Sequence, residues 1–332
     1  MTAMAAAQAS MMKAVVRDTY GSPDVLKLAE VEKPELPDDR VLVRVHAASL
    51  ARGDWYTLTG ILVARAATGL RRPKSRLMGG DFAGTIEAVG RDVTEFQPGD
   101  EVFGARSGAL GEYVAARTTA VALKPAHVTF EEAAAVPTSA ITALQGLRDK
   151  GQLQAGQQVL INGASGGVGT FAVQIAKALG AEVTAVCSTR NVELMRSLGA
   201  DRVVDYSRDD FTRTDERYDV MLDNAGSRSW RECKRVLKPN ARVVLVGGQM
   251  GGPVLGPLGH TIKLKLASLF GGRKAVFFVA GFNSADMQVL RELLEAGKVT
   301  PVVDRRYPLS EVADAFRYLG EGHAQGKVVL SL

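Results

Sequence analysis

Three glycines, Gly163, Gly166 and Gly169, stand between a short apolar run at residues 159–162 and a stretch of helical periodicity at residues 167–179. Glycine at this spacing permits a tight turn, close approach of a pyrophosphate to the backbone, and close packing of the helix on the strand. The N-terminus of the helix would offer unpaired N–H groups and the positive end of its dipole to the phosphates. A purely structural turn is the alternative, but the strand, turn, helix and strand context favours dinucleotide binding.

The end of the next apolar run decides which dinucleotide is favoured. A site for NAD normally presents Asp or Glu to the ribose 2′-hydroxyl about 20 residues after the glycines. This chain has Cys187, Ser188, Thr189 and Arg190 there. Ser188 can donate to a 2′-phosphate and Arg190 can pair with its charge, and no carboxylate repels it. The alternative makes Ser188 a helix cap and Arg190 a solvated residue. The segment favours NADPH over NADH.

Two patterns of apolar residues along the chain predict the strands and helices around these residues. Residues 13–130 contain short alternating runs such as Val41, Val43 and Val45, which indicate a β-rich domain. From residue 159, strands alternate with helices, as in a doubly wound parallel sheet of the α/β class. We predict strands at residues 159–162, 182–187, 202–204, 220–223, 243–246, 276–280 and 327–330, and helices at 167–179, 192–198, 286–295 and 309–320.

Length and composition restrict the function classes. The 332 residues fit two domains, and 41 basic against 36 acidic residues give a net charge of +5 without a basic run suited to nucleic acid. Cys187 and Cys233 are the two cysteines, so neither a disulfide framework nor a Cys-x-x-Cys zinc site is predicted, and a reducing cytoplasm is expected. Residues 1–10 resemble neither a signal peptide nor an anchor, and no apolar run reaches the roughly 18 residues of a membrane span.

Several motifs resemble the zinc-free quinone oxidoreductase branch of the medium-chain dehydrogenase/reductase superfamily. The matching segments are GGDFAGTIEAVG at 79–90, QPGDEVFG at 97–104, NGASGGVGTFAVQIAKALGAEV at 162–183, LGADRVVDY at 198–206 and LEAGKVTPVVDRRYPL at 294–309. The resemblance implies a GroES-like catalytic domain from residues 1–136 and 277–332, a Rossmann domain from residues 137–276, and an active cleft between them. It also implies a homodimer formed by pairing of the strand near residues 276–279; a monomer in which that strand ends the sheet is the alternative.

The resemblance assigns cofactor contacts to matching residues. Those in the phosphate turn are Gly166, Gly167 and Val168, those around the 2′-phosphate are Ser188, Arg190 and Tyr206, and those elsewhere along the cofactor are Thr142, Asn224, Gly247 and Lys327. Asn224 as a turn residue and Lys327 as a surface cation are the alternatives.

Zinc-binding relatives carry a Cys, a His-Glu pair and a four-Cys loop that this chain lacks; Gly80 and Asp81 stand at the place of the pair. The four histidines are scattered without ligand spacing, so no metal site is predicted. Because zinc would polarise a carbonyl oxygen, its absence favours a substrate that is electron-poor by itself.

The octapeptide SLARGDWY at 49–56 has Ala51 where the family pattern has Asn. Asp54 and Tyr56 match the pattern. We expect the octapeptide to be a loop facing the nicotinamide, with Tyr56 either donating to the substrate oxygen or packing, and Asp54 accepting loop hydrogen bonds rather than doing acid–base chemistry. The adhesion-like tripeptide Arg52-Gly53-Asp54 would require secretion and a projecting loop.

These patterns predict an NADPH-dependent enzyme that delivers hydride to a small electrophile, a quinone or an activated C=C bond. Two alternatives stay open: reduction of an imine or carbonyl on a biosynthetic pathway, and a non-catalytic NADPH-binding sensor. The loops near residues 55–75 and 248–275 would shape the substrate pocket, and they carry no local signature.

Overall fold

The computed structural model describes residues 11–247, 258–268 and 273–332. Their described parts fall into two compact units, one from Met1–Thr138, Phe282–Glu295 and Val303–Leu332, the other from Ser139–Gly281 and Ala296–Val302. Residues 277–281 and 296–302 thus lie with the second unit, whereas the sequence prediction placed them in the first domain, and residues 137–138 lie with the first unit instead of the second. Within the described ranges, no helix combines the length and the apolar character needed to cross a bilayer.

The strands follow one another along the whole described chain. They are β1 (Met11–Val16), β2 (Lys27–Glu32), β3 (Arg40–Leu50), β4 (Asp81–Val89), β5 (Glu101–Ala105), β6 (Tyr113–Arg117), β7 (Val121–Leu123), β8 (Gln158–Asn162), β9 (Glu182–Cys187), β10 (Arg202–Asp205), β11 (Tyr218–Asp223), β12 (Leu237–Leu245), β13 (Lys274–Phe277), β14 (Val303–Pro308) and β15 (Lys327–Ser331).

The helices lie between these strands. They are α1 (Arg52–Thr59), α2 (Leu62–Thr68), α3 (Phe130–Ala134), α4 (Pro137–Gln145), α5 (Gly167–Ala178), α6 (Val192–Ser197), α7 (Trp230–Arg235), α8 (Leu258–Ala267), α9 (Ser284–Glu295) and α10 (Val312–Glu321). Short 3₁₀ turns include Thr189–Asn191 and Leu309–Glu311, and a π-turn at Gly146–Lys150 follows α4.

The first unit is built on a sheet with the strand order β14-β15-β3-β4-β5-β7, and β6 pairs separately with β3. Strand β15 runs antiparallel to β3, with Val328 opposite Leu50 and Leu330 opposite Ala48. This pairing joins the C-terminal strand to the N-terminal part of the chain. The buried side chains of the two strands, among them Leu50, Val328 and Leu330, pack in one apolar cluster with Phe316 of α10.

The second unit contains a parallel sheet in the order β10-β9-β8-β11-β12-β13. The order reverses at β8, so the carboxyl ends of β8 and β11 form a topological switch point, the place where such sheets bind ligands. Residues 159–162 of β8 are buried, as a central parallel strand requires. The predicted doubly wound parallel sheet is confirmed.

The prediction that the octapeptide at 49–56 forms a loop is wrong. Residues 49–50 end β3, and residues 52–56 begin α1. Ala51 is extended at the N-cap, and Asp54 in the first turn accepts the Ala51 N–H through Oδ2 at 2.8 Å. Gly60, at a φ of 66°, ends the helix in the left-handed conformation that favours glycine. Residues 62–68 then form α2, so most of the predicted loop at 55–75 is helical; residues 248–257 and 269–272 of the other predicted loop lie outside the described residues.

Strand β12 begins six residues before the predicted start at residue 243. The prediction missed the first half of the strand because that half is irregular. Asn240 has a φ of 66°, and the pairing with β11 shifts register between Tyr218 and Val220. A left-handed residue after Pro239 breaks the alternation by which strands are read from sequence. Strand β13 occupies the edge of the sheet, and the predicted pairing of this region across a dimer stays a prediction.

Candidate functional site

The glycine turn between β8 and α5 has the conformation that its sequence predicted. Gly163 has a φ of 74°, which favours glycine. A Cβ on Gly169 would collide with the carbonyl oxygens of Gly163 and Ala164, so close packing of the helix on the turn requires glycine there. A Cβ on Gly166 would meet little beyond the Gly163 oxygen at 3.7 Å, so space is open above that residue. The first-turn N–H groups of α5, which include those of Gly167 and Val168, have no intrahelical acceptors.

The predicted 2′-phosphate residues lie together at the carboxyl ends of β9 and β10. The Tyr206 N–H donates to the Cys187 carbonyl at 2.9 Å, which places Tyr206 beside the segment that carries Ser188 and Arg190. Arg190 and Tyr206 are exposed and Ser188 is half-buried. Ser188 makes no side-chain cap bond, in contrast to the capping alternative. The three side chains provide two hydroxyls and one guanidinium at one edge of the sheet.

One carboxylate, Asp205, lies close to this edge. Its Oδ2 accepts from the Thr189 hydroxyl at 2.5 Å and its Oδ1 accepts from the Ser207 N–H at 2.9 Å. The hydrogen bond from Thr189 is the main cause that lowers the pKa of Asp205. Arg208 Nε lies 3.5 Å from Asp205 Oδ2, so neighbouring residues compensate the negative charge of Asp205.

Asn224 follows β11 at the switch point, in a loop shaped by the preceding residue. Asp223 Oδ1 accepts from the Asn162 amide at 2.8 Å and from the Gly226 N–H at 2.8 Å. The Asn224 side chain has its amide nitrogen and its oxygen buried, and neither atom finds a hydrogen-bond partner among the described residues. A Cβ on Gly247 would collide with the Asn224 carbonyl oxygen. Asn224 and Gly247 are therefore in contact, and the unsatisfied amide fits a polar ligand.

Thr142 lies within α4 and is half-buried. This helix also carries Gln145, whose amide exchanges hydrogen bonds with the backbone of Gly281 at 2.7 and 3.1 Å. All predicted cofactor contacts except Lys327 thus belong to the second unit.

The first unit holds the predicted catalytic residues. Asp54 is half-buried, and burial raises the pKa of its carboxyl to about 6, with the Ala51 N–H acting in the opposite direction. Tyr56 is also half-buried, burial raises its pKa, and its hydroxyl makes no hydrogen bond to the described residues. Ala51 contributes a backbone N–H to this turn and no polar side chain. The Tyr56 hydroxyl is thus a neutral donor at neutral pH, and Asp54 fixes the start of α1.

Lys327 is not a surface cation, which was the alternative to cofactor binding. Its ammonium lies 3.2 Å from Asp81 Oδ2, with side-chain exposures of 2% and 1%. Asp81 Oδ1 also accepts from the Thr138 N–H at 3.1 Å and from the Thr138 hydroxyl at 2.5 Å. The Asp81 carboxylate is therefore part of a buried network of one ion pair and two hydrogen bonds that joins β4 to β15.

The adhesion-like tripeptide is part of a packed helix. Arg52 donates to the Leu319 carbonyl at 3.1 Å, near the end of α10. A Cβ on Gly320 would collide with the ring of Trp55, so the indole packs directly on that helix. Trp55 packs against the apolar cluster of the first unit.

Neither cysteine fits a nucleophile. Burial raises the pKa of Cys187 to about 11 and that of Cys233 to about 12, so both thiols are protonated at neutral pH. In the described part of the chain, no group of three or more His, Cys, Asp or Glu side chains is placed to hold a metal ion.

Comparison with known proteins assigns the family. Residues 37–146 match the alcohol dehydrogenase GroES-like domain, and residues 198–330 match the family model described as zinc-binding dehydrogenase. A 2-methylene-furan-3-one reductase of Solanum lycopersicum is 35% identical, over 97% of this chain and 79% of the relative. The chain belongs to the medium-chain dehydrogenase/reductase superfamily.

Further relatives place the chain in the quinone oxidoreductase-like branch of this superfamily. The chloroplastic NADPH-dependent alkenal/one oxidoreductase of Arabidopsis thaliana is 35% identical, over 96% of this chain and 79% of the relative. The structure of the quinone oxidoreductase from Coxiella burnetii has a TM-score of 0.84 at 31% identity, covering 97% of this chain and 99% of that one. Membership of this oxidoreductase superfamily and the GroES-like plus Rossmann fold are confirmed.

Sequence reasoning missed two residues, Asp223 and Asn191, that support the candidate site. Asp223 holds the Asn224 loop, and Asn191 hydrogen-bonds both Ser165 in the glycine turn and Ser188. The position of Asp223 at the carboxyl end of a central strand was a usable signal. Nothing local in the sequence connects Asn191 with Ser165, because they are 26 residues apart.

Proposed function

We propose that this chain is an NADPH-dependent reductase that transfers hydride to a quinone or to a C=C bond conjugated with a carbonyl group. The observation that carries the proposal is the donor set Ser188, Arg190 and Tyr206 at the carboxyl ends of β9 and β10. A hydroxyl stands at the end of β9, where an NAD site presents a carboxylate. The name of the Arabidopsis relative supports the same cofactor, and the names of the Arabidopsis and tomato relatives support the same substrate class.

The residues of the second unit fit a dinucleotide. Open space above Gly166 and the free N–H groups of α5 suit a pyrophosphate. The buried amide of Asn224, which lacks a partner among the described residues, suits a polar group of the cofactor near the switch point. Arg190 supplies a charge-assisted hydrogen bond to a 2′-phosphate, and this bond would be absent with NADH.

The substrate must accept hydride with little help from the protein. Bound NADPH supplies the hydride, and conjugation in the substrate spreads the negative charge that reaches its oxygen. The Tyr56 hydroxyl, protonated and without a partner among the described residues, donates a hydrogen bond to that oxygen. Ala51 contributes no side-chain donor, so Tyr56 takes the orienting role that the family Asn has elsewhere.

The reaction proposed for this chain is independent of zinc. Asp81 stands where the zinc relatives have the second residue of a ligand pair, and its carboxylate is bound by Lys327 and Thr138. Gly80 has no ligating side chain. A metal ion at this place would have to displace a buried ammonium group.

A substrate panel tests the proposal. NADPH oxidation is followed with a quinone, an alkenal, an alkenone, an imine and a saturated aldehyde, each before and after dialysis against a chelator. We expect turnover of the quinone or of the conjugated carbonyls, unaffected by the chelator. Preference for the imine or the saturated aldehyde would support the biosynthetic alternative, and tight binding of NADPH without turnover of any compound would support a sensor.

The Tyr56→Phe variant tests the donor. Loss of one hydrogen bond to a developing oxyanion predicts a fall in kcat of roughly 10- to 100-fold, with little change in the Kd of NADPH. Tyr113→Phe, which removes a hydroxyl from β6 of the same unit, is the matched control and should keep full activity. If kcat and KM of Tyr56→Phe match the wild type for every accepted substrate, the tyrosine only packs.

A further inference from the structure

The buried amide of Asn191 connects two serines that come from different parts of the second unit. Its Nδ2 lies 2.8 Å from Ser165 Oγ in the glycine turn and 3.2 Å from Ser188 Oγ after β9. The residue is 3% exposed. Although Asn191 stands at the N-cap of α6, its side chain makes no capping hydrogen bond. Its amide nitrogen instead donates hydrogen bonds to the two serines.

The direction of these two hydrogen bonds follows from chemistry. An amide nitrogen donates two protons and accepts none, so both serine oxygens must act as acceptors toward Asn191. Each hydroxyl keeps one proton of its own, and neither hydroxyl donates to an acceptor among the described residues. Both protons are therefore directed away from Asn191, and phosphate oxygens, which only accept, are suitable partners for them.

We propose that Asn191 is a positioning residue that fixes the Ser165 and Ser188 hydroxyls as donors, one toward the pyrophosphate and one toward the 2′-phosphate of NADPH. The proposal rests on the proposed NADPH site. It explains why a buried amide lies between the two anion-binding segments. Preorganised donors bind an anion more tightly because the hydroxyls need not be reoriented when the ligand arrives.

Substitution by aspartate and by alanine distinguishes this role from packing. Asn191→Asp keeps the size and shape of the side chain, but a carboxylate accepts hydrogen bonds and would draw both serine protons toward itself. Asn191→Ala leaves the hydroxyls free to rotate. A packing role predicts the alanine variant to be worse, whereas the donor role predicts the aspartate variant to be worse for NADPH.

The experiment measures Kd for NADPH and for NADH by fluorescence titration, together with the unfolding temperature of each variant. We expect Asn191→Asp to raise the Kd of NADPH about 30-fold or more and that of NADH clearly less, because one of the two hydroxyls serves the 2′-phosphate. Asn191→Ala should raise the Kd of NADPH only about threefold. Ser197→Asp, which adds the same charge at the other end of α6, should change neither.

A second background separates hydroxyl orientation from simple charge repulsion. Asn191→Asp is introduced into a Ser188→Ala chain, and the preference for NADPH over NADH is measured before and after. In this background the substitution should lower the preference by about threefold or less, because the Ser188 hydroxyl through which Asn191 acts is gone. A loss that persists in full, or an alanine variant worse than the aspartate variant, overturns the positioning role. A wild type that binds NADH as tightly as NADPH instead refutes the proposed cofactor, so the two failures are distinct.

Discussion

The ammonium group of Lys327 lies 3.2 Å from Asp81 Oδ2, and both side chains are almost completely buried. The two residues stand on β15 and β4, so the pair connects the last strand of the chain to a strand near its beginning. Ser49 on β3, the strand between them, lies 3.4 Å from the same carboxylate oxygen. A buried charge is stable only when it is paired, so the two residues depend on each other.

Replacing Lys327 by methionine should destabilise the protein strongly. The substitution leaves the carboxylate of Asp81 buried without its cation, which costs about 3–5 kcal/mol. Chemical denaturation measures the change, and the double variant Lys327→Met, Asp81→Asn should recover part of it. Loss of cofactor affinity at unchanged stability would instead indicate that Lys327 acts mainly on the cofactor, as the family resemblance implies.

The titration of Asp54 gives a pH-dependent prediction. Burial raises the pKa of its carboxyl to about 6, above its value of 3.8 in an unfolded chain. Between these two values the folded protein binds the proton more tightly than the unfolded chain, so this group favours folding at low pH and its contribution falls as the pH rises through about 6.

Asp54→Asn should therefore be more stable than the wild type at pH 7, by about 1 kcal/mol after allowance for solvent screening. The amide oxygen can still accept the Ala51 N–H, so the start of α1 is kept. Denaturation curves from pH 4 to pH 8 check the prediction: the two proteins should converge toward pH 4. A difference that does not vary with pH would show that Asp54 does not titrate in this range.

Much of the fold was predictable from local sequence. The bounds of β9 were predicted without error and those of α5 within one residue, because the glycine turn and the apolar periodicity are both encoded locally. Helix α1 was missed because Ala51 supplies no cap side chain, although Asp54 in the first turn and Gly60 at the end were usable signals.

The support of the candidate site was harder to predict. Ser188 and Arg190 follow from their place after β9, but the hydrogen bond between Asn191 and Ser165 depends on how the sheet brings two distant segments together. The same holds for Lys327 and Asp81, which are 246 residues apart. Tertiary pairing of this kind has no periodicity that a single sequence displays.

Two glycine substitutions compare a crowded position with an open one. A Cβ on Gly169 collides with two carbonyl oxygens of the glycine turn, so Gly169→Ala should cost about 1–3 kcal/mol and weaken NADPH binding. Gly53 in α1 has no heavy atom within 4 Å of an added Cβ, so Gly53→Ala should be neutral or stabilising by up to about 1 kcal/mol. Thermal unfolding and cofactor titration of both variants test the contrast; equal effects would contradict the packing described for the turn.

The ratio of kcat/KM for NADPH to kcat/KM for NADH, measured with a conjugated carbonyl substrate, tests the proposed NADPH site. The donors at Ser188, Arg190 and Tyr206 predict a ratio of about ten or more, since one charge-assisted hydrogen bond to the 2′-phosphate contributes about 1.5–3 kcal/mol. Ser188→Asp, which restores the carboxylate of an NAD site, should lower the ratio at least tenfold. A wild-type ratio near or below one would contradict a preference for NADPH at this site.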